Sequence, residues 1–388
     1  MRNLNAGYLI SRRTILLLPL LAVGGCATID DLFGNLRGDR EPPVVPLVER
    51  PVTEPIAANH FVLESPEQSV IGIPQVVLTS NTDTLSDLAR TYGLGYDELI
   101  AANPGVDPWL PGENTPVLLP TQFVLPDVPR QGIVLNMASK RLFYFPAMPE
   151  GEAQVVKTYP VGIGRVGWET PLGVTRVTSK ARDPHWFVPA SVRQEHAEMG
   201  DPLPSVVPPG PENPLGHRVL KLEMPGYLIH GTNQPYGVGM RVSHGCVRLY
   251  PENIELLYEL VDIGESVTIV NEPFLLGQLN GEIYFEGHSP LEDDAISPDE
   301  RLEVLLDASG NPLSATLRKA DKDHVRTIAS VASGVPARVS TRDVDEVLAR
   351  ARLVRNTVEV DAEAPTLTEV REMIDEAVRE AEDEAENL

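Results

Sequence analysis

Leu228-Ile229-His230-Gly231-Thr232, followed by Ser243-His244-Gly245-Cys246-Val247-Arg248-Leu249, is where chemistry-bearing residues crowd most densely in this chain. A cysteine attacks as the thiolate, and a free thiol with pKa ~8.5 needs a neighbouring base or positive charge to reach that state. His230, ending a strand expected over 227–230, supplies a base. A glycine-containing loop, 234–241, then leads back to Cys246. His244, beside Ser243, adds an imidazole. Arg248 adds positive charge near the thiolate or holds a substrate carboxylate. Gly245 permits close backbone approach, and the amides around Gly245 and Cys246 are natural oxyanion donors. A strand-borne base facing a loop-borne nucleophile is the general layout of an activated-nucleophile site.

Zinc is the competing use of His with Cys. It is set aside because this stretch holds one cysteine and no Cys-x-x-Cys spacing, so no metal is expected. His185, His196 and His217 read as structural or loop residues, with His217 and Trp186 as outlying candidates for the cleft wall.

Outward from this stretch, 131–273 reads as a mainly β domain. A hairpin is expected from 133–137 and 141–145, with further strands over 155–162, 173–179, 219–224 and 266–271 and a helix over 251–261. The Pro- and Gly-rich segment 201–216 suits a shaped loop or lid. Upstream, 76–121 reads as a small α+β unit. A strand at 76–78 precedes Thr84-Leu85-Ser86-Asp87, which has capping-box spacing. A helix stopped by Gly93, a second helix over 96–102 and a returning strand at 116–120 follow.

The ends of the chain have other characters. Arg2, Arg12 and Arg13 precede an apolar run, 14–23, too short to span a bilayer comfortably, and Val23-Gly24-Gly25-Cys26 closes it. Residues 1–25 are therefore expected to be an export signal, with Ser11-Arg12-Arg13 leaving the export route open between Sec and twin-arginine. Residues 26–75 read as a tether whose prolines, extended at ~3.1 Å per residue, would reach on the order of 100 Å. Residues 274–388 are expected to be an acidic, partly helical extension with helices over 298–306, 343–353 and 367–385. A net charge of −24 with no basic cluster beyond the N-terminus excludes nucleic acid as a partner.

Three resemblances attach to these residues. Val23-Gly24-Gly25-Cys26 resembles the lipobox of bacterial lipoproteins, implying diacylglycerol on Cys26, a membrane anchor and, with Ala27 next, outer-membrane sorting in the periplasm of a Gram-negative host. Residues 76–121 resemble the LysM module, which binds glycans containing N-acetylglucosamine. The two stretches around His230 and Cys246 resemble the signature of the L,D-transpeptidase (YkuD-type) catalytic domain. Tyr159-Pro160-Val161-Gly162, Glu169-Thr170-Pro171-Leu172-Gly173 and 210–216 are similar to its ErfK/YbiS branch.

The resemblance implies a multi-domain peptidoglycan enzyme in which Cys246 is the nucleophile and His230 exchanges the proton, with the Gly231 carbonyl orienting His230. Ser243, His244, Gly245 and Arg248 would support them. No cofactor is implied, and carbapenems become expected inhibitors. The donor would be a stem tetrapeptide cut between diaminopimelate and D-alanine. The acceptor stays open: a second diaminopimelate amine, a lysine of an outer-membrane lipoprotein, or water, as in an L,D-carboxypeptidase or endopeptidase. A non-catalytic wall-binding lipoprotein would have no use for His230, His244, Cys246 and Arg248 together. NlpC/P60-type and papain-like peptidases place the cysteine before the histidine.

Overall fold

The computed structural model describes residues 50–307, 322–340 and 346–359, together with positions 372 and 374. The expected signal over 1–25, the lipidation site Cys26 and the tether up to residue 49 lie outside the described residues.

The later part of the expected tether is folded. Strands β1 (His60–Val62) and β2 (Val70–Gly72) lead directly into β3 (Gln75–Leu78). Phe61 pairs opposite Val156 and Ile71 opposite Phe123, while Val70 and Ile71 are fully buried. The prolines shorten these strands below the length at which alternation shows in sequence, but they do not stop the apolar pairs from being buried. The tether expected over 26–75 is corrected from His60 onward.

Within 76–121 the expected order appears. Thr84 caps α1 (Leu85–Thr91): its hydroxyl accepts from the Asp87 amide at 3.1 Å, and the Asp87 carboxylate accepts from the Thr84 amide at 3.3 Å. Helix α2 (Tyr96–Ala102) ends at Asn103, whose buried amide donates to the carbonyls of Leu99 and Leu118 at 2.8 Å each. That ties the helix to β4 (Pro116–Leu119), which runs antiparallel to β3. This unit does not have a core of its own. Leu85, Leu88 and Leu99 share one apolar cluster with Phe143 and Phe145 of the adjoining sheet. Arg141, 2% exposed at its side chain, pairs with Glu98 at 2.5 Å across the same boundary.

Beyond β5 (Gln122–Val124) come β6 (Gly132–Asn136), β7 (Arg141–Phe145), β8 (Val155–Pro160), β9 (Ile163–Gly164) and β10 (Gly173–Arg182). An excursion then carries β11 (Trp186–Phe187), α3 (Ala190–Glu198) and β12 (Val206–Val207). The chain returns through β13 (Arg218–Leu222), β14 (Leu228–His230), β15 (Arg241–Ser243), β16 (Val247–Arg248), α4 (Pro251–Leu260) and β17 (Ser266–Val270). The main sheet has nine strands in the order β1-β8-β7-β6-β17-β10-β13-β14-β16. Its parallel pairs are β6 with β17 and β14 with β16. Alternation sends Leu220, Leu222, Ile229 and Val247 to one face, where they pack with Ile254 and Leu257 of α4. The opposite face of the same strands is left for the cleft.

The extension expected to be partly helical over 274–388 also carries strands. Strands β18 (Phe274–Leu279) and β19 (Glu282–Gly287) form a hairpin around Asn280-Gly281, both at positive φ, a pair suited to a tight hairpin turn. Next come α5 (Pro298–Asp307), α6 (Lys322–Val331), β20 (Ala337–Arg338), α7 (Glu346–Arg350) and β21 (Arg352–Val354). The helix expected over 343–353 therefore gives way at Arg350. Leu353 and Val354 are buried instead, in a strand running parallel to β3. Edge pairing satisfies their backbone groups and buries both side chains at once, which outweighs local helical spacing. Most of the helix expected over 367–385 lies outside the described residues; positions 372 and 374 are helical, and Ile374 is buried against Tyr96 and Met240.

Candidate active site

The exposed face of β10, β13, β14 and the residues around β16 floors a cavity of about 940 Å³. Cross-strand register arranges this floor in two rows. Ala181, Val219, His230 and Arg248 stand opposite one another in turn. Ser179, Lys221 and Leu228 form the second row, and Cys246, one residue before β16, completes it beside Leu228. All eight line the cavity. Nucleophile and base candidates thus occupy adjoining strands, one row apart, on one face.

His230 is 3% exposed. Its Nδ1–H donates to the Gly231 carbonyl at 2.6 Å, which leaves Nε2 as the acceptor nitrogen. Burial pushes its pKa down to about 3, aided by the charge of Arg248 and opposed by the Gly231 and Leu215 backbone. The ring is therefore neutral at pH 7. Cys246 is half-buried, and its thiol reaches the Gly226 carbonyl at 3.6 Å. Burial raises the thiol's pKa, while a backbone hydrogen bond from Leu228 and the positive charge of Arg248 lower it. Burial dominates, so the resting pair is thiol and imidazole rather than thiolate and imidazolium. Such a pair works by general-base transfer as the nucleophile attacks.

The loop carrying Cys246 is tied at several points. Thr170 Oγ1 donates to the Gly245 carbonyl at 2.8 Å, and Ser243 Oγ donates to the Cys246 carbonyl. Gly245 sits at φ +92, where a Cβ would also meet Tyr227 at 3.1 Å and the Trp168 carbonyl at 3.2 Å. The turn has room only for glycine. Arg248 exchanges two backbone hydrogen bonds with Gly162, both 2.9 Å, fixing its strand against the start of β9.

Three further residues, Glu195, Arg165 and Trp168, not singled out by the sequence, reach this loop. Glu195 of α3 accepts from His244 Nε2–H at 2.7 Å and pairs with the buried Arg165. Trp168 stands edge-on to the His244 ring at 5.0 Å. Neither Glu195 nor Arg165 lies in a recognisable motif, and α3 has no strong apolar stripe to announce it. His185 and His196, expected to be structural, line the cavity, as Trp186 does. His217 turns instead toward Glu255, 3.8 Å away.

Residues 130–269 match the family model of the YkuD L,D-transpeptidase catalytic domain. The probable L,D-transpeptidase YcfS of Escherichia coli is 36% identical over 296 residues, 75% of this chain and 91% of that protein. The chain belongs to the L,D-transpeptidase family. The probable L,D-transpeptidase YbiS of Escherichia coli is 41% identical over 62% of this L,D-transpeptidase and 76% of its own length. A solved catalytic domain of an E. faecium L,D-transpeptidase is 20% identical at a TM-score of 0.28, covering 37% of this chain and 99% of that one.

Proposed function

We propose that this L,D-transpeptidase acts on peptidoglycan stem tetrapeptides, with Cys246 as nucleophile and His230 as the group that takes and returns the proton. The observation that carries this assignment is the Nδ1–H of His230 fixed on Gly231, which frees a neutral Nε2 on the same cavity floor as Cys246. As sulfur bonds to the carbonyl carbon of the diaminopimelate–D-alanine link, the thiol proton passes to Nε2. The amides at Gly245 and Cys246 receive the developing oxyanion. His230 then returns the proton to the departing nitrogen, the C–N bond breaks, D-alanine leaves, and a thioester on Cys246 remains. An acceptor amine attacks that thioester and restores the thiol. His244 and Ser243 hold the loop, and Arg248 biases both titrating groups.

The acceptor amine belongs to a second diaminopimelate or to a lysine of an outer-membrane lipoprotein. Residues 76–121 hold the glycan strand as a LysM-type module, and lipid on Cys26 keeps the enzyme at the periplasmic membrane surface. Among the described residues no helix is long and apolar enough to cross a membrane. The decisive experiment incubates the protein with tetrapeptide muropeptides or a carbapenem and weighs it intact. A thioester adduct that disappears in Cys246→Ala is expected; its absence in the unaltered protein sinks the reading. Product analysis then separates cross-linked dimer and lipoprotein-linked fragment from the tripeptide that water would give.

A further inference from the structure

Lys221 stands in the same row of the cavity floor as Cys246, with only Leu228 between them. Its neighbours on the sheet show how deliberately the two faces differ. Lys180 of β10 points to the other face, where its ammonium donates to the Val261 carbonyl at 2.6 Å and lies over the Tyr258 ring. Lys221 points into the cleft, and among the described residues nothing pairs with its ammonium. The lining carboxylates Asp201 and Glu212 belong to the excursion, not to the floor.

The chain carries a net charge of −24, yet the floor around Cys246 holds two cations, Lys221 beyond Leu228 in the same row and Arg248 in the next row. A local cationic pair on an acidic protein selects for an anionic group at that spot. We propose that Lys221 forms a carboxylate-binding subsite for the donor peptide, an inference that rests on the acyl-transfer reaction assigned above. The donor's scissile carbonyl is held at the Cys246 sulfur as the thioester forms, so a cation at a fixed distance from that sulfur along the floor serves the donor.

Two strand spacings put the Lys221 and Cys246 Cα atoms roughly 10 Å apart. A lysine stem leaning along the row covers part of that distance, so its ammonium meets a group one or two residue lengths from the scissile carbonyl, at ~3.4 Å per extended residue. The two carboxylates of a stem tetrapeptide nearest the scissile carbonyl are the C-terminal carboxylate of the leaving D-alanine and the free carboxylate at the far end of the diaminopimelate side chain. The chemistry is common to both, and the substrate decides between them.

The experiment measures acylation kinetics of the full chain on three donors: the unmodified tetrapeptide, the same peptide amidated at its C-terminus, and one amidated on the diaminopimelate side chain. Lys221→Ala should raise KM about tenfold on the unmodified donor while kcat changes little, as loss of a ground-state contact requires. Lys221→Arg should restore most of the affinity. The KM penalty should vanish on whichever amidated donor lacks the recognised carboxylate, naming the source. If the unaltered enzyme forms no Cys246 adduct with any donor, the assigned reaction and the subsite fall together. If the adduct forms but Lys221→Ala leaves KM unchanged, or raises it equally on all three donors, the subsite alone is overturned.

Discussion

Glu195 Oε2 lies 2.7 Å from His244 Nε2, so a helix of the excursion over the cleft is bonded to the loop that ends in Cys246. That distance places the proton on Nε2, donated to the carboxylate. The 3.1 Å approach of Arg165 to the same nitrogen is then a close contact of charges gathered on Glu195 rather than a second hydrogen bond. In the proposed reaction Glu195 is a positioning residue: it reaches the Cys246 loop through His244.

Glu195→Gln should lower kcat/KM roughly tenfold, or about 1.4 kcal/mol, with most of the loss in kcat. Glu195→Asp should recover part of it by keeping the charge. Steady-state rates of both variants, set beside their thermal midpoints, check this; a fall in stability with unchanged kcat would mark Glu195 as merely structural.

Arg248 favours the thiolate of Cys246 and disfavours the imidazolium of His230. Replacing it by alanine should therefore raise both pKa values. The rate of iodoacetamide alkylation followed against pH should show its midpoint move upward in Arg248→Ala, from a starting value already above that of an ordinary cysteine.

His230 predicts how stability follows pH. Its folded pKa, near 3, lies below the unfolded value of 6.5, so the unfolded chain binds the proton first as acid is added. Stability from this group is present above pH 6.5 and drains away between 6.5 and about 3, on the order of 5 kcal/mol in all. Urea unfolding at pH 7, 5 and 4 should show that slope, and His230→Gln should flatten it.

The Arg141–Glu98 pair, nearly inaccessible to water, fastens α2 to β7, with the guanidinium 3.9 Å from the centre of the Phe123 ring. Glu98→Ala would leave a buried cation without this carboxylate and should cost about 3–5 kcal/mol. Loss of the thermal midpoint across the whole unfolding transition, rather than in a separate early phase, would show that residues 76–121 unfold with the catalytic sheet.

Local signals in the sequence match the structure where the cause is local. The capping box at Thr84, the Gly93 stop and the hairpin strands around 137–141 each depend on residues a few positions apart. The tail of the tether, the strand at Arg352–Val354 and the role of Glu195 each depend on a partner scores to hundreds of residues away, which no periodicity records. Asn280-Gly281 was a legible hairpin signal that the acidic character of the surrounding extension obscured.

The opening stretch shows the division most clearly. By itself the sequence picked out Cys246, His230 and their glycines as candidates for an activated-nucleophile site, because residue types and spacing limit the available chemistry, and the family resemblance implied acyl transfer. Only the tertiary structure decided that His230 is neutral and Cys246 a thiol at rest, because burial sets those states. It also decided that Lys221 shares their floor, because cross-strand register brings together residues that the chain keeps far apart.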